Sequence, residues 1–319
     1  MQRWVIGVDL GGTQIRALRT DLAGEKAARA EQLTQAQQGP QAVLSRILKT
    51  VREVMEGVPQ EEIMGLGIGA PGPIDSAGVV HDPPNLPGWP GISLVEELSG
   101  PLGLPVYAGN DANLGALAEH RFGAGVGVEH LVYLTVGTGI GGGVISHGRM
   151  LTGWRGFAAE IGHQTLDPDG PLCGCGQPGH LEAFASGPAI ARQARLALEQ
   201  GRSSTIPEHA KGPVTAASVA AAAMAGDALA IELLRQAGTY LGLGLANVIH
   251  ILEPQRILIG GGVSRAGELL LGPARAAVEQ RLMSPVYRGI EILPAALGPD
   301  VGLMGAAALA LQETLGAAT

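Results

Sequence analysis

The stretch "VIGVDLGGTQIRALRTD", residues 5–21, runs an apolar strand into Asp9, turns on Gly11 and Gly12, and returns at once through Ile15, Ala17 and Leu18. Such a turn exposes backbone N–H groups, and glycine lets a ligand approach without meeting a Cβ. Thr13 adds a hydroxyl donor beside those amides. The reading is a phosphate grip. An ordinary hairpin is the plainer alternative, and an aspartate that ends the strand weighs against it.

The pattern recurs. "HLVYLTVGTGIGGGVISHG", residues 130–148, is again strand, glycine turn and strand, with Thr138 inside the turn and Gly139 after it. Gly137 follows Asp9 by 128 residues, a domain-sized separation that suggests a duplicated α/β unit. Two such turns, one per half, could hold a triphosphate between them.

Between and after the hairpins, apolar spacing gives a helix over 40–56, a buried strand running into a Gly/Pro loop over 63–75, and a short helix from Ser93. A strand over 105–110 leads into a helix over 111–122 that begins at its acidic end. Later come helices near 187–200, 215–224 and 227–252, a strand from 256 to 262, and helices near 265–282 and 302–315. Strands alternating with helices give an α/β chain with mixed sheets. We expect a smaller N-terminal domain over 1–118 and a larger one over 119–301, with the terminal helix able to return to the first.

Composition narrows the function. The chain has 319 residues, long for one core and comfortable for two. Its net charge is −8 and no run of Lys or Arg occurs, which argues against nucleic acid as a partner. No signal peptide or membrane span is readable, since the most apolar regions are Ala-rich or interrupted by Asn247 and His250. Two cysteines give no disulfide framework, and their placement suggests metal binding. The default expectation is a cytoplasmic enzyme.

Two G-x-G-x-x-G matches, at Gly67, Gly69 and Gly72 and at Gly137, Gly139 and Gly142, fail as dinucleotide motifs. That fingerprint needs a helix to start inside the motif and an acidic residue about 20 positions on. A Pro-containing loop follows Gly72 and another strand follows Gly142. No GxxxxGK[ST] loop exists either.

Several segments together resemble the ROK family of bacterial sugar kinases and regulators. They are "DLGGT" (9–13), "GIGAPGPID" (67–75), "NLPGW" (85–89), "NDAN" (110–113), "VGTGIGGG" (136–143), "EIGH" (160–163), "CGCGQPGHLE" (173–182) and "IGGGVS" (259–264). They occur in family order and span nearly the whole chain. The resemblance implies two ribonuclease-H-like domains of the actin-like ATPase type, an interdomain cleft, and ATP-dependent phosphorylation of a hexose. Asp111 aligns with the family's catalytic base, a role that suits a carboxylate positioned to accept a hydroxyl proton. As an isolated residue Asp111 would be read as a helix cap. Asn110, Glu160, His163 and Glu182 match the family's sugar contacts, with Asn85 a further candidate. Asp9 resembles the acid that orients Mg²⁺ on the ATP phosphates. Gly260, Gly261 and Gly262 would back the adenosine, or could simply make a tight turn.

The family also carries a structural zinc, held by a His and three Cys in a C-x-C-G-x-x-G-C pattern. Here His163, Cys173 and Cys175 are present and His180 replaces the last cysteine. Imidazole is an ordinary zinc ligand, so a His₂Cys₂ set is chemically sound. A free-thiol loop and a strained disulfide are the alternatives. Within the family reading, glucose is the first substrate, with fructose, mannose, N-acetylglucosamine and N-acetylmannosamine as alternatives. Phosphorylation falls on the 6-hydroxyl. A sugar-sensing regulator is a further alternative, disfavoured by the acidic charge and by the few residues before Asp9. Relatives imply a homodimer or a tetramer.

Overall fold

In the computed structural model, which describes residues 3–81, 83, 86–89 and 91–316, the opening stretch forms an antiparallel hairpin. β1 (Trp4–Leu10) pairs with β2 (Gln14–Asp21) in a register that sets Asp9 directly across from Arg16. β3 (Lys26–Leu33) adds to the outer side of β2. The chain continues through α1 (Pro40–Met55) and β4 (Ile63–Ala70) to a small hairpin of β5 (Val79–Val80) and β6 (Ile92–Ser93). α2 (Leu94–Leu102), β7 (Val106–Asn110) and α3 (Asp111–Phe122) complete this run. The sheet order is β3-β2-β1-β4-β7, with β1, β4 and β7 parallel. Their C-terminal ends therefore share one edge, the place where open α/β sheets present ligand-binding groups.

The second sheet repeats that order. β8 (Leu131–Val136) and β9 (Ile140–Ser146) form the hairpin, and β10 (Arg149–Met150) lies outside β9. After the Cys/His loop come α4 (Leu181–Ala185), α5 (Gly187–Glu199), α6 (Ala216–Met224) and the long α7 (Ala228–Leu252). β11 (Arg256–Gly260), α8 (Glu268–Arg281) and β12 (Glu291–Pro294) follow. The order β10-β9-β8-β11-β12, with β8, β11 and β12 parallel, matches the first sheet strand for strand. The duplication suggested by the two glycine hairpins is thus a duplication of topology.

By contacts, one unit comprises Met1–Gly127, Met150–Ala159 and Leu297–Thr319, and the other Val128–Arg149 and Glu160–Ala296. The division after Gly127, rather than after 118, follows from α3 running unbroken to Phe122. Buried Glu119 on that helix accepts hydrogen bonds from Ala124 N and Leu297 N at 2.9 and 2.8 Å, tying the loop beyond α3 to the chain ahead of the last helix. That last helix, α9 (Val301–Gly316), packs on β1, β4 and α3. Among the described residues no single helix is long and apolar enough to cross a membrane.

Alternation along β1 explains the layers of the first unit. Ile6, Val8 and Leu10 face α1 through Val43, Leu44 and Ile47, while Val5 faces Ala307, Ala310 and Leu311 of α9. Gly67 of β4 is what allows α9 to lie so close: a Cβ there would stand 1.8 Å from Ala306 O. The "GLGIG" run is therefore a helix-packing surface, which accounts for its failure as a dinucleotide motif. Gly67→Ala is expected to lower stability by about 2–3 kcal/mol through forced separation of helix and sheet. A urea midpoint unchanged from wild type would contradict that packing.

Candidate active site

At the C-terminal edge of the first sheet stand the end of β1 with Asp9, the loop after β4 with Gly72, and the end of β7 with Asn110 and Asp111. The parallel register puts Asp9 beside Gly69 and Ala70 beside Asn110. Asp9 Oδ2 is held by Arg16, whose Nε donates at 3.1 Å and whose Nη2 donates to the same oxygen. Arg16 Nη1 also donates to Pro299 O at 3.0 Å. Oδ1 of Asp9 has no protein hydrogen-bond donor among the described residues and is available to a metal-bound water. Sequence reasoning missed Arg16, though the hairpin carried the signal: a tight turn after Leu10 places residue 16 opposite residue 9.

Asn110, expected at the sugar, is the N-cap of α3. Its Oδ1 accepts from Ala112 N at 3.0 Å and Asn113 N at 3.2 Å, and its Nδ2 donates to Gly72 O at 3.0 Å. Capping therefore falls to Asn110, and Asp111 follows it as the first helical residue. Asp111 is exposed, and its Oδ1 accepts from Ala112 N at 2.8 Å. The first glycine turn is closed by Gly11 N donating to Gln14 O at 2.9 Å, and Thr34 Oγ1 donates to Gly11 O at 2.6 Å. Gly12 is half-buried beside it, and Thr13 is exposed. Asn85 lies outside the described residues.

The second unit presents its own edge. The turn after β8 is pinned by Gly137 N to Gly139 O at 2.9 Å and by Gly187 N to Gly137 O at 2.8 Å, leaving Thr138 exposed. Gly260 ends β11 in register with Thr135, so the glycine run over 260–262 lies beside the glycine turn. Gly261 has φ +86°, and a Cβ there would come within 2.4 Å of Val136 O, which requires glycine. Gly262 has nothing within 4 Å of its Cβ position. Of the three, Gly262 is the one with an open face toward a ligand.

Glu182, in the first turn of α4, couples this edge to the Cys/His loop. Its Oε2 accepts from Ile140 N at 2.8 Å, next to the glycine turn, and its Oε1 accepts from the Cys173 thiol at 3.4 Å. Both oxygens are engaged within the unit, so Glu182 positions its surroundings. Glu160 is exposed, and its Oε2 is 3.8 Å from His163 Nε2.

The Cys/His loop gathers the four expected ligands. Donor atoms of His163, Cys173, Cys175 and His180 all lie within 4.8 Å of one another. His163 Nδ1 is 3.3 Å from His180 Nδ1 and 3.7 Å from Cys173 Sγ, and Cys175 Sγ is 3.3 Å from His180 Nδ1. A tetrahedral zinc with ordinary bond lengths sets nitrogen donors about 3.3 Å apart and nitrogen from sulfur about 3.6 Å apart. The donor set and spacing fit that ion. Burial pushes the Cys173 thiol up to about 11, with Glu182 adding to the effect and a backbone hydrogen bond at Cys175 opposing it, so a bound cation must displace its proton. His163 turns Nδ1 to the cluster and Nε2 to Glu160, which lets one ring serve both.

Two units with one strand order, each with a glycine turn after its first strand, define an α/β protein of the actin-like ATPase type. The ROK family matches residues 5–313, and the chain belongs to that family. It is 40% identical over 315 residues to a glucokinase of Thermotoga maritima, covering 98% of both chains. A ROK family glucokinase from Streptomyces griseus, solved in complex with glucose and AMPPNP, superposes with a TM-score of 0.82 at 35% identity, covering 97% of this chain and 99% of that one. A ROK hexokinase from Thermus thermophilus gives a TM-score of 0.83 at 36% identity, covering 98% and 99%.

Proposed function

We propose that this chain is an ATP-dependent hexose kinase that transfers the γ-phosphoryl group to the 6-hydroxyl of glucose. Near-full-length likeness to glucokinases supports the activity. The observation that carries the mechanism is the division of labour at the start of α3. Asn110 caps the helix, and Asp111 stands exposed on its first turn, at the strand edge.

Asp111 accepts the proton of the sugar hydroxyl as that oxygen bonds to the γ-phosphorus, the bond to the β–γ bridging oxygen breaks in line, and ADP leaves. Asp9, oriented by Arg16, would hold Mg²⁺ through water, and that ion would offset phosphate charge. In the first unit the amides and hydroxyls of Gly11, Gly12 and Thr13 are suited to phosphate oxygens; in the second, those of Thr138 and Gly139 are suited to the same chemistry and the glycines over 260–262 to adenosine. Glu160, His163 and Glu182 of the second unit, and separately Asn110 of the first, are suited to sugar hydroxyls, whose mixed donor and acceptor character fits acidic, imidazole and amide groups.

Zinc held by His163, Cys173, Cys175 and His180 would have no open coordination position, so it would act by fixing the loop. A cytoplasmic, homo-oligomeric enzyme without nucleic-acid or membrane partners completes the reading. A coupled assay of ADP release across glucose, fructose, mannose, N-acetylglucosamine and N-acetylmannosamine tests the substrate. The highest kcat/KM is expected for glucose; ADP release that no hexose stimulates would overturn the proposal.

A further inference from the structure

The second unit holds another group of potential metal-binding side chains, separate from the Cys/His loop. We propose that Glu129, His130 and His147 form a second zinc site, at the closed end of the β8–β9–β10 meander. Donor atoms of the three residues lie within 4.8 Å of one another. The His130 and His147 ring centroids are 4.5 Å apart, with the ring planes at 75°.

The backbone builds this arrangement. Leu131 pairs with Ile145 in the antiparallel ladder, so extending the register by two residues sets Glu129 opposite His147. Gly148 N donates to Glu129 O at 2.9 Å and closes that end. His147 and Gly148 make the two-residue connection between β9 and β10 with φ of +51° and +70°, the pattern of a type I′ turn. Asn, Asp or Gly ordinarily fills the first of those positions; here a ligating imidazole does. On the other strand, Gln255 Oε1 accepts from both Glu129 N and His130 N, at 2.7 and 2.9 Å. Both strands that carry ligands are therefore anchored before any ion arrives.

Two imidazoles and one carboxylate are an ordinary zinc donor set, and three protein ligands leave a fourth position for water. His130 also lines a recess of about 420 Å³, with Pro254, Gln255 and Tyr287 among its walls. A tetrahedral ion needs nitrogen donors about 3.3 Å apart, so donors that lie within 4.8 Å of one another reach that spacing by small rotamer adjustments of exposed side chains. The bound ion would pin the start of β8 to the turn after β9.

The test counts metal on the full chain, stripped and then dialysed against buffered low-micromolar free zinc. Wild type is expected to hold two zinc ions. His147→Asn, which keeps a residue suited to a type I′ turn, is expected to hold one, and Glu129→Gln to weaken the second ion at least about tenfold. Substituting cobalt separates the two sites. His147→Asn should lose one cobalt yet retain the full thiolate-to-cobalt absorption of the Cys/His loop, and that absorption also reports a folded unit. A wild-type chain that holds one ion, or a second ion indifferent to both substitutions, would overturn the proposal.

Discussion

Asp111→Asn is expected to lower kcat for glucose about a thousandfold, the middle of the range that a positioned general base contributes, while the KM for glucose changes only a few-fold. The amide keeps the size and the hydrogen bond to Ala112 N, but it cannot take the hydroxyl proton. That split between kcat and KM marks an interaction made in the transition state. Stability should hardly move, because Asn110 supplies the cap and an acid at the first turn contributes only about 0.3–1 kcal/mol. Turnover that survives the substitution undiminished would remove Asp111 from its assigned role. An equal loss of thermal stability would return it to a structural one.

The second large effect concerns the Cys/His loop. Chelation, or Cys173→Ser, is expected to remove the metal, lower the thermal midpoint, and raise the KM for glucose by about 10–100-fold, the usual cost of losing the shell that orients a site. Two links on the page carry the effect. His163 reaches Glu160 through the ring nitrogen opposite the cluster, and Glu182 joins Cys173 to the backbone of Ile140. His180→Cys should keep the metal, since either ligand completes a tetrahedron. Unchanged kinetics in protein verified as metal-free would count against a structural zinc.

Much of this architecture was legible because its signals are local. Two glycine hairpins announced two sheets, and the strand-to-helix junction at Asn110 and Asp111 was readable from an apolar strand meeting an acidic helix start. β3 escaped because "KAARAEQL" is an edge strand with few apolar residues, held by its pairing with β2. β12 escaped because four residues carry no period. The site shows the same limit. The four zinc-type ligands could be named from spacing, but the engagement of Glu182 Oε2 depends on a contact 42 residues away in sequence, with the backbone of Ile140. Asn110 was recognisable as polar and near the base, but its role as the N-cap is set by the geometry of α3.

The central claim is that a carboxylate on the first turn of α3 readies a sugar 6-hydroxyl to receive phosphate from ATP. The most direct measurement is ³¹P NMR of the purified chain incubated with ATP, Mg²⁺ and glucose. Phosphorus is expected to leave the γ-position and reappear as glucose 6-phosphate in equal amount with ADP, with no comparable conversion by Asp111→Asn. Inorganic phosphate in place of the sugar ester, or ATP left intact by active-site-competent protein, would contradict the account.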